Sequence, residues 1–413
     1  MVLIEGMTIW ILALLLLAAG AGMGLRQGAI RVAISFVGII FSALLAWPLS
    51  GLIRPLLPHI GFQNPVVVWL LPPFLVFLIL LSLVKSLGLL VHHKADVYYR
   101  YKADDLQRIL WELLNKRLGL GLGLLNGLVY FVLISLVIYD FSYWTVQVAS
   151  SGEERLSVRI LNRMGWDLQG TGLVRSARAI DPMPEIYFKA ADSAGLIYQN
   201  PQLRDRLSAY PAFLSLAERD DFKQLGQNAD FQAAWKNHSP IGQLWNNPQA
   251  EAIRQSKDTA AMVWNLVLTN LVDLQAYLQT CQSAKFNAEK ILGRWDFDVM
   301  ASLTAVVQSR SNVPTTEMAG MRTLWFPAYS NTVFIAGADG QAFLKNLPHF
   351  KLQPNQPTTF NTAMWQGQWK TDGNNYNVTL ASSGANKFAS AAIDGSRITL
   401  KTESDTLIFD REQ

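Results

Sequence analysis

Cysteine is nearly absent: the 413 residues contain one, Cys281, which excludes an internal disulfide and any thiolate metal site. The compartment stays open on that count, since an exported domain can be stable without a disulfide. Histidine is scarce too, with His59, His92, His93, His238 and His349 in no His-Glu-x-x-His arrangement. No Gly-x-Ser-x-Gly elbow and no phosphate-binding loop occurs, so hydrolytic and nucleotide chemistry have no seat here. The expectation is a protein with no catalytic residue, no cofactor and no metal, and not an enzyme. His92-His93 closes an apolar run, and a hydrated or headgroup position fits that pair better than a metal or pH site.

Charge is thin and unevenly spread. Of 35 basic and 31 acidic residues, ten and six fall within residues 1–149, leaving 25 of each beyond. The whole net charge of +4 therefore belongs to the first third. It is spread over loops between apolar runs rather than gathered in a soluble patch, so no nucleic-acid partner is expected.

What is present is hydrocarbon. Met7 to Leu25 carries no charge and is long enough to cross a bilayer. A cleaved leader is disfavoured because MVLIEG, which precedes it, has Glu5 and no Lys or Arg. Ala29 to Leu57 forms a second run and Asn64 to Leu90 a third, with Pro72 and Pro73 inside it. Either a kinked helix or a shorter span from about Phe74 satisfies that third run. Lys116 to Tyr139 is the fourth. No carboxylate sits midway in a run to relay protons, which argues against a proton-coupled transporter. Arg26 and Arg31 flank the first turn, and Lys94, Arg100, Lys102, Arg108, Lys116 and Arg117 flank the third connection, at the same end of a four-span bundle. By the positive-inside rule that end is cytoplasmic, which puts the N-terminus and everything after Tyr139 outside the cytoplasm.

Two runs carry glycine at every fourth position: Gly20, Gly24 and Gly28 in the first, and Gly119, Gly123 and Gly127 in the fourth. On a helix each set lines one stripe, and a bare stripe lets another helix backbone come close. The stripes lie at similar depth and run in opposite directions. Two arrangements follow: the first and fourth helices pack on each other, or each stripe packs on whichever helix is adjacent.

These residues carry a resemblance. GMGLRQGAIRVAISFVG (22–38), with Gly24, Arg26, Gly28 and Arg31, resembles the first-turn motif of the colicin V production protein family. NKRLGLGLGLLNGLVYF (115–131), with Arg117, Gly119, Gly123 and Gly127, is similar to that family's other signature. The likeness covers about residues 1–145, including the four-helix layout. It implies a multi-pass protein of the bacterial inner membrane, linked to production or export of a colicin-type toxin and to envelope homeostasis, with unknown membrane or envelope protein partners and no established reaction.

Beyond the membrane part, Leu156, Arg159, Ile160, Arg163 and Met164 fit a short amphipathic helix, for which packing on the soluble part is favoured over the membrane surface. Asn200 to Ser256 repeats every nine or ten residues, each unit opening on a cap-like residue and then Pro or Asp. That pattern predicts tandem short helices that must stack on each other or on a partner. Lys257 to Gln282 reads as one long helix with Val263, Leu266, Leu271, Leu274 and Leu278 on one face.

The last third turns to strands. Gly293-Arg294-Trp295 recurs as Gly367-Gln368-Trp369, and Ser330 to Phe334 recurs as Ser404 to Ile408, both 74 residues on. The reading is a pair of duplicated antiparallel β modules, weakly similar to lipocalin-like modules, with Asp372-Gly373 and Asp394-Gly395 as turns. Two modules together could close a barrel or a sandwich, and an apolar ligand is a possible partner of them. Trp295 and Trp369 are expected in the core.

The chain is thus expected to be a multidomain membrane protein: an all-α four-helix transmembrane domain (1–145), a soluble α-helical region (146–285) and C-terminal β modules (286–413). Three functional readings remain open from residues alone: assembly in the envelope with the lipid bilayer and protein partners, a membrane-anchored binding or scaffold module, and a channel or transporter.

Overall fold

The computed structural model describes residues 7–62, 64–101, 104–149, 155–237, 239–309, 314–351, 359–382, 385–402 and 406–412. Glu5, Lys102, His238, Ser404 and Asp405 lie outside them. The apolar runs form α1 (Met7–Gln27), α2 (Ala29–Ile53), α3 (Pro65–Tyr101) and α4 (Asp105–Gln147). All four are long and apolar enough to cross a membrane. A helix satisfies its own backbone groups, which hydrocarbon cannot do.

The third run is one continuous helix with Pro72 and Pro73 inside it. It also outlasts its apolar stretch. At 37 and 43 residues, α3 and α4 measure about 55 and 64 Å at the usual helical rise, against a hydrocarbon core of about 30 Å. Good helix formers such as Leu106, Gln107, Leu113 and Leu114 carry α4 well upstream of the expected start at Lys116. Tyr99 and Trp111 stack across the two arms, 4.3 Å between ring centroids.

Then follow α5 (Leu156–Gly170), α6 (Leu173–Ile180), α7 (Glu185–Gln199), α8 (Gln202–Ala209), α9 (Leu214–Ala217), α10 (Asp220–Gln227), α11 (Ala229–Lys236), α12 (Ile241–Trp245), α13 (Pro248–Gln255) and α14 (Lys257–Thr280). Side-chain caps open two of these short helices, α11 and α13, whereas the residue before α8, α10 and α12 makes no side-chain capping bond. Asn247 caps α13 by accepting from the Gln249 and Ala250 amides, and the Asn228 side chain accepts from Phe231 N at 2.7 Å.

The compact units divide the chain differently from the three expected segments. One comprises Met1–Gln199 with Ala234–Leu268, the other Asn200–Ala233 with Thr269–Gln413. Residues 146–199 fall in the compact unit that holds the apolar helices. The short helices are likewise no single stack: α8 to α10 join the strand-bearing unit, and α12 and α13 the other. Helices this short bury little on their own, so each is claimed by the larger surface it meets.

In the second unit, eight antiparallel strands close one barrel in chain order: β1 (Gly293–Phe297), β2 (Val333–Ala336), β3 (Gln341–Lys351), β4 (Thr359–Asp372), β5 (Asn375–Ser382), β6 (Ala385–Asp394), β7 (Arg397–Lys401) and β8 (Thr406–Arg411). Two helices, α15 (Val299–Ser309) and α16 (Thr315–Tyr329), sit between β1 and β2. Pairing of β1 with β8 completes the ring. The expected duplication into two modules does not hold. β1, which carries Gly293-Arg294-Trp295, pairs with β2, which the first Ser-Asn-Thr segment enters. Gly367-Gln368-Trp369 lies inside β4, whose neighbours are β3 and β5. The repeated anchors thus occupy inequivalent places in the ring. The two Asp-Gly turns do close tight hairpins, with Gly373 and Gly395 at φ of +61° and +60°.

Alternate residues fill the barrel. Tyr376, Val378 and Leu380 of β5, Ile398 and Leu400 of β7, and Leu407 and Phe409 of β8 share one core with Trp295 and Phe334. Trp295 is fully buried and its indole donates to the Ile291 carbonyl at 2.9 Å. Trp369 packs against the same core from a half-buried position, its indole donating to Gly337 O. Outside the ring, Ile335 and Phe343 are covered by Leu214 of α9.

Candidate functional site: a glycine seam and its capped end

The two glycine stripes face each other. A Cβ built on Gly24 would lie 3.0 Å from the Gly123 Cα and would also strike the Gly119 carbonyl oxygen; one on Gly20 would strike the Gly123 carbonyl oxygen. On Gly127 it would meet Leu16 O at 2.7 Å and Leu17 Cα at 3.0 Å. Positions on α1 and α4 step past each other by four residues in opposite senses, so the helices run antiparallel with their backbones in contact. Only glycine permits that approach. Dispersion between such closely packed surfaces is what holds helices together in lipid, where apolar side chains gain nothing by leaving one hydrocarbon for another.

Gly28 has a different task. At φ +79° it turns the chain from α1 into α2, a conformation that costs other residues strain. Asn115 from α4 sits beside it and caps α2, its Oδ1 accepting from Ala29 N at 2.6 Å. Further along α4, buried Asn126 donates from Nδ2 to Val32 O at 3.2 Å. These two asparagines tie α4 to α2. The available signal is an asparagine inside, or at the head of, an apolar run that carries a glycine-spaced stripe. The three arginines of the motifs are not in the seam: Arg26 and Arg117 are exposed at its end and Arg31 is half-buried on α2.

The far end of the seam is closed by residues after the fourth helix. Asp167 of α5, itself buried, accepts from the backbone amide of Thr8 at 3.1 Å and from the Thr8 hydroxyl, capping α1 from 159 residues away. Gly165 lies against Ser142 of α4. Asp192 of α7 accepts from Tyr143 Oη at 2.8 Å and Gln147 Nε2 at 2.9 Å. Tyr187 of the same helix donates to the Asp140 carbonyl at 2.7 Å. The Asp140 side chain is 4% exposed, and its Oδ1 has no hydrogen-bond partner among the described residues. Burial pushes the Asp181 carboxyl above the usual carboxylate range, opposed by the Met183 amide and Arg178; burial, with Asp140 and Asp181 nearby, also raises the Tyr187 phenol.

The second unit has an open cleft of about 540 Å³ beside the barrel, lined by Tyr277, Cys281, Lys290, Arg294 and Arg411 among others. Its most prominent cation is already engaged. Arg411 donates to Lys290 O at 2.6 Å and Leu292 O at 3.2 Å and lies 4.4 Å over the Trp295 ring; burial lowers its pKa. Among the described residues no group of three or more His, Cys, Asp or Glu side chains could hold a metal ion.

Comparison of the chain with protein-family models, with curated proteins and with solved structures yields no match.

Proposed function

We propose that the chain is a multi-pass protein of the bacterial inner membrane, of the colicin V production type, which serves toxin production or export or envelope homeostasis by assembling with membrane or envelope partners rather than by catalysis. The observation that carries the reading is the seam: Gly24, Gly119, Gly123 and Gly127, all of them motif residues, lie where the backbones of α1 and α4 touch. In this reading the glycines build the bundle, and partners engage other surfaces. The basic ends of α1–α2 and α3–α4 face the cytoplasm, and the barrel unit lies outside it. A phosphatase fused after Gln413 is then active and a fluorescent-protein fusion dark; the reverse result overturns the topology. Loss of envelope or toxin phenotypes in Gly123→Leu, with Gly121→Leu unaffected, tests the seam.

A second reading, a membrane-anchored binding module, draws on the lipocalin-like barrel and its neighbouring cleft. An apolar guest inside the barrel would have to displace Trp295, Phe334 and Phe409, all fully buried, so a ligand belongs to the cleft. Deleting everything after Ala149 abolishes function in this reading and leaves part of it in the first.

A further inference from the structure

Helices α5 and α6 lie along the bundle rather than beyond it. Leu168 and Ala177 are buried in one cluster with Ile9, Ala13, Phe131 and Ile138, and Leu161, Met164, Leu173 and Val174 pack against it. Ile9 and Ala13 belong to the first turns of an apolar span that begins at Thr8, and Asp167 holds Thr8 itself. One side of the α5–α6 pair is therefore fixed at the depth where α1 enters the hydrocarbon.

The other side is open and of mixed character. Leu156 is 67% exposed, Trp166 54%, Ile180 50% and Ile160 47%. Among them stand Arg155, Arg159, Arg163, Arg175 and Arg178, all exposed. Between Arg155 and Ile180 the sequence has a single acid, Asp167, which is buried and bonded to α1; Glu153 and Glu154 precede the stretch, and Asp181, which lies near Arg178, follows it. Apolar side chains of this size left in water forfeit the stabilisation that burial would give them, so water is the wrong medium for this face. Tryptophan, branched aliphatics and arginine on one helix surface are suited to the headgroup layer, where the rings and aliphatic groups enter the acyl boundary and guanidinium groups reach phosphates.

We propose that α5 and α6 form an interfacial helix pair that lies in the headgroup layer at the Thr8 end of the bundle and binds anionic phospholipid. Leu156, Ile160 and Trp166 enter the acyl boundary; Arg155, Arg159 and Arg175 contact lipid phosphates. The occupant is the surrounding bilayer because the other side of the pair packs on the entry turns of α1, at the start of an apolar span, and between Arg155 and Ile180 five arginines stand against one acid. The proposal does not depend on which side of the membrane this end faces.

The test uses full-length protein in vesicles with Cys281→Ser as background. An environment-sensitive fluorophore is placed at Ile160→Cys and, as reference, at Phe388→Cys on the exposed face of β6. Shallow nitroxide-labelled lipids should quench the first several-fold more than the second. Equal quenching at the two sites overturns the proposal, and so does a label at 160 that is shielded from water yet untouched by lipid quenchers, which would mean a protein occupant. Preference for charge is read on the unmodified chain as the ratio of phosphatidylglycerol to phosphatidylcholine retained after extraction from mixed vesicles. Enrichment several-fold over the bulk ratio is expected, falling to bulk in the combined Arg155→Gln, Arg159→Gln, Arg175→Gln variant and restored by lysine at the same three positions. A bulk ratio in the unmodified chain overturns the anionic assignment.

Discussion

The α1–α4 seam and the β-barrel are both closely packed, and they achieve it with opposite side chains. In the seam, glycines withdraw so that backbone meets backbone. In the barrel, Trp295, Phe334, Tyr376 and Phe409 project inward and meet one another in the middle. The difference follows from the solvent each part faces. Water rewards removal of apolar area, so large side chains pointing inward stabilise a barrel. Lipid offers no such reward, and association there depends on how many atoms come into contact, which favours the smallest residues at the interface. The same distinction explains why the seam is finished with hydrogen bonds. Asn115, Asn126 and Asp167 each bond a backbone group of a neighbouring helix in a setting where lipid offers no partner.

If that contrast is right, the two regions fail under opposite substitutions. The largest effect is expected for Gly123→Leu, because backbone rather than a flexible side chain blocks the new atoms; it should exceed the roughly 3 kcal/mol upper range of ordinary overpacking. Thermal aggregation in detergent should show it as loss of the monodisperse species, while Gly121→Leu, where a Cβ meets nothing within 4 Å, stays near the parent. In the barrel it is removal that hurts. Trp295→Ala should cost about 3–5 kcal/mol, read by denaturant unfolding of tryptophan emission, with the α1–α4 helices retained by circular dichroism. A membrane part that melts together with the barrel in that variant would break the comparison.

Smaller effects sharpen it. Asp167→Ala removes the cap of α1 and should cost about 1 kcal/mol, seen as faster amide exchange at the start of α1. The smallest effect is a pair of opposite pH responses. Asp273 is subject to burial, which raises its pKa, but bonds from Ser283, Tyr210 and the Lys285 amide outweigh that and hold it below the ordinary value. Its contribution is present above about pH 3.9, the unfolded value, and is lost as pH falls through the depressed one. Asp181 is shifted upward, so the folded form binds its proton first and gains stability as pH falls through the raised value toward about 3.9. Asp273→Asn should flatten the acid loss in the barrel unit, and Asp181→Asn should remove the acid gain in the other; unchanged pH profiles would refute both assignments.

Much of the candidate site is legible in residue spacing alone. The four-residue step of Gly20, Gly24, Gly119, Gly123 and Gly127 announces close helix contact, because on a helix that step returns to the same face. It does not say which helices meet, since a bare stripe fits any neighbour. Asp167 is hidden for another reason. Its partner, Thr8, is 159 residues distant, and no local pattern distinguishes a carboxylate that caps a remote helix from one that faces water. The Trp295 and Trp369 repeat misleads for the same cause, since two similar tripeptides say nothing about which strands become neighbours.

Composition and periodicity alone therefore determined the four apolar helices, the short helices after them, the alternating strands and the Asp-Gly turns, because each depends on residues a few positions apart. Tertiary structure decided the pairing of α1 with α4, the division of the short helices between two units, the single closed ring of eight strands and the arginine-bearing face left open on α5 and α6. Those outcomes depend on contacts between distant segments, where many pairings satisfy the same local preferences and only their joint packing selects one.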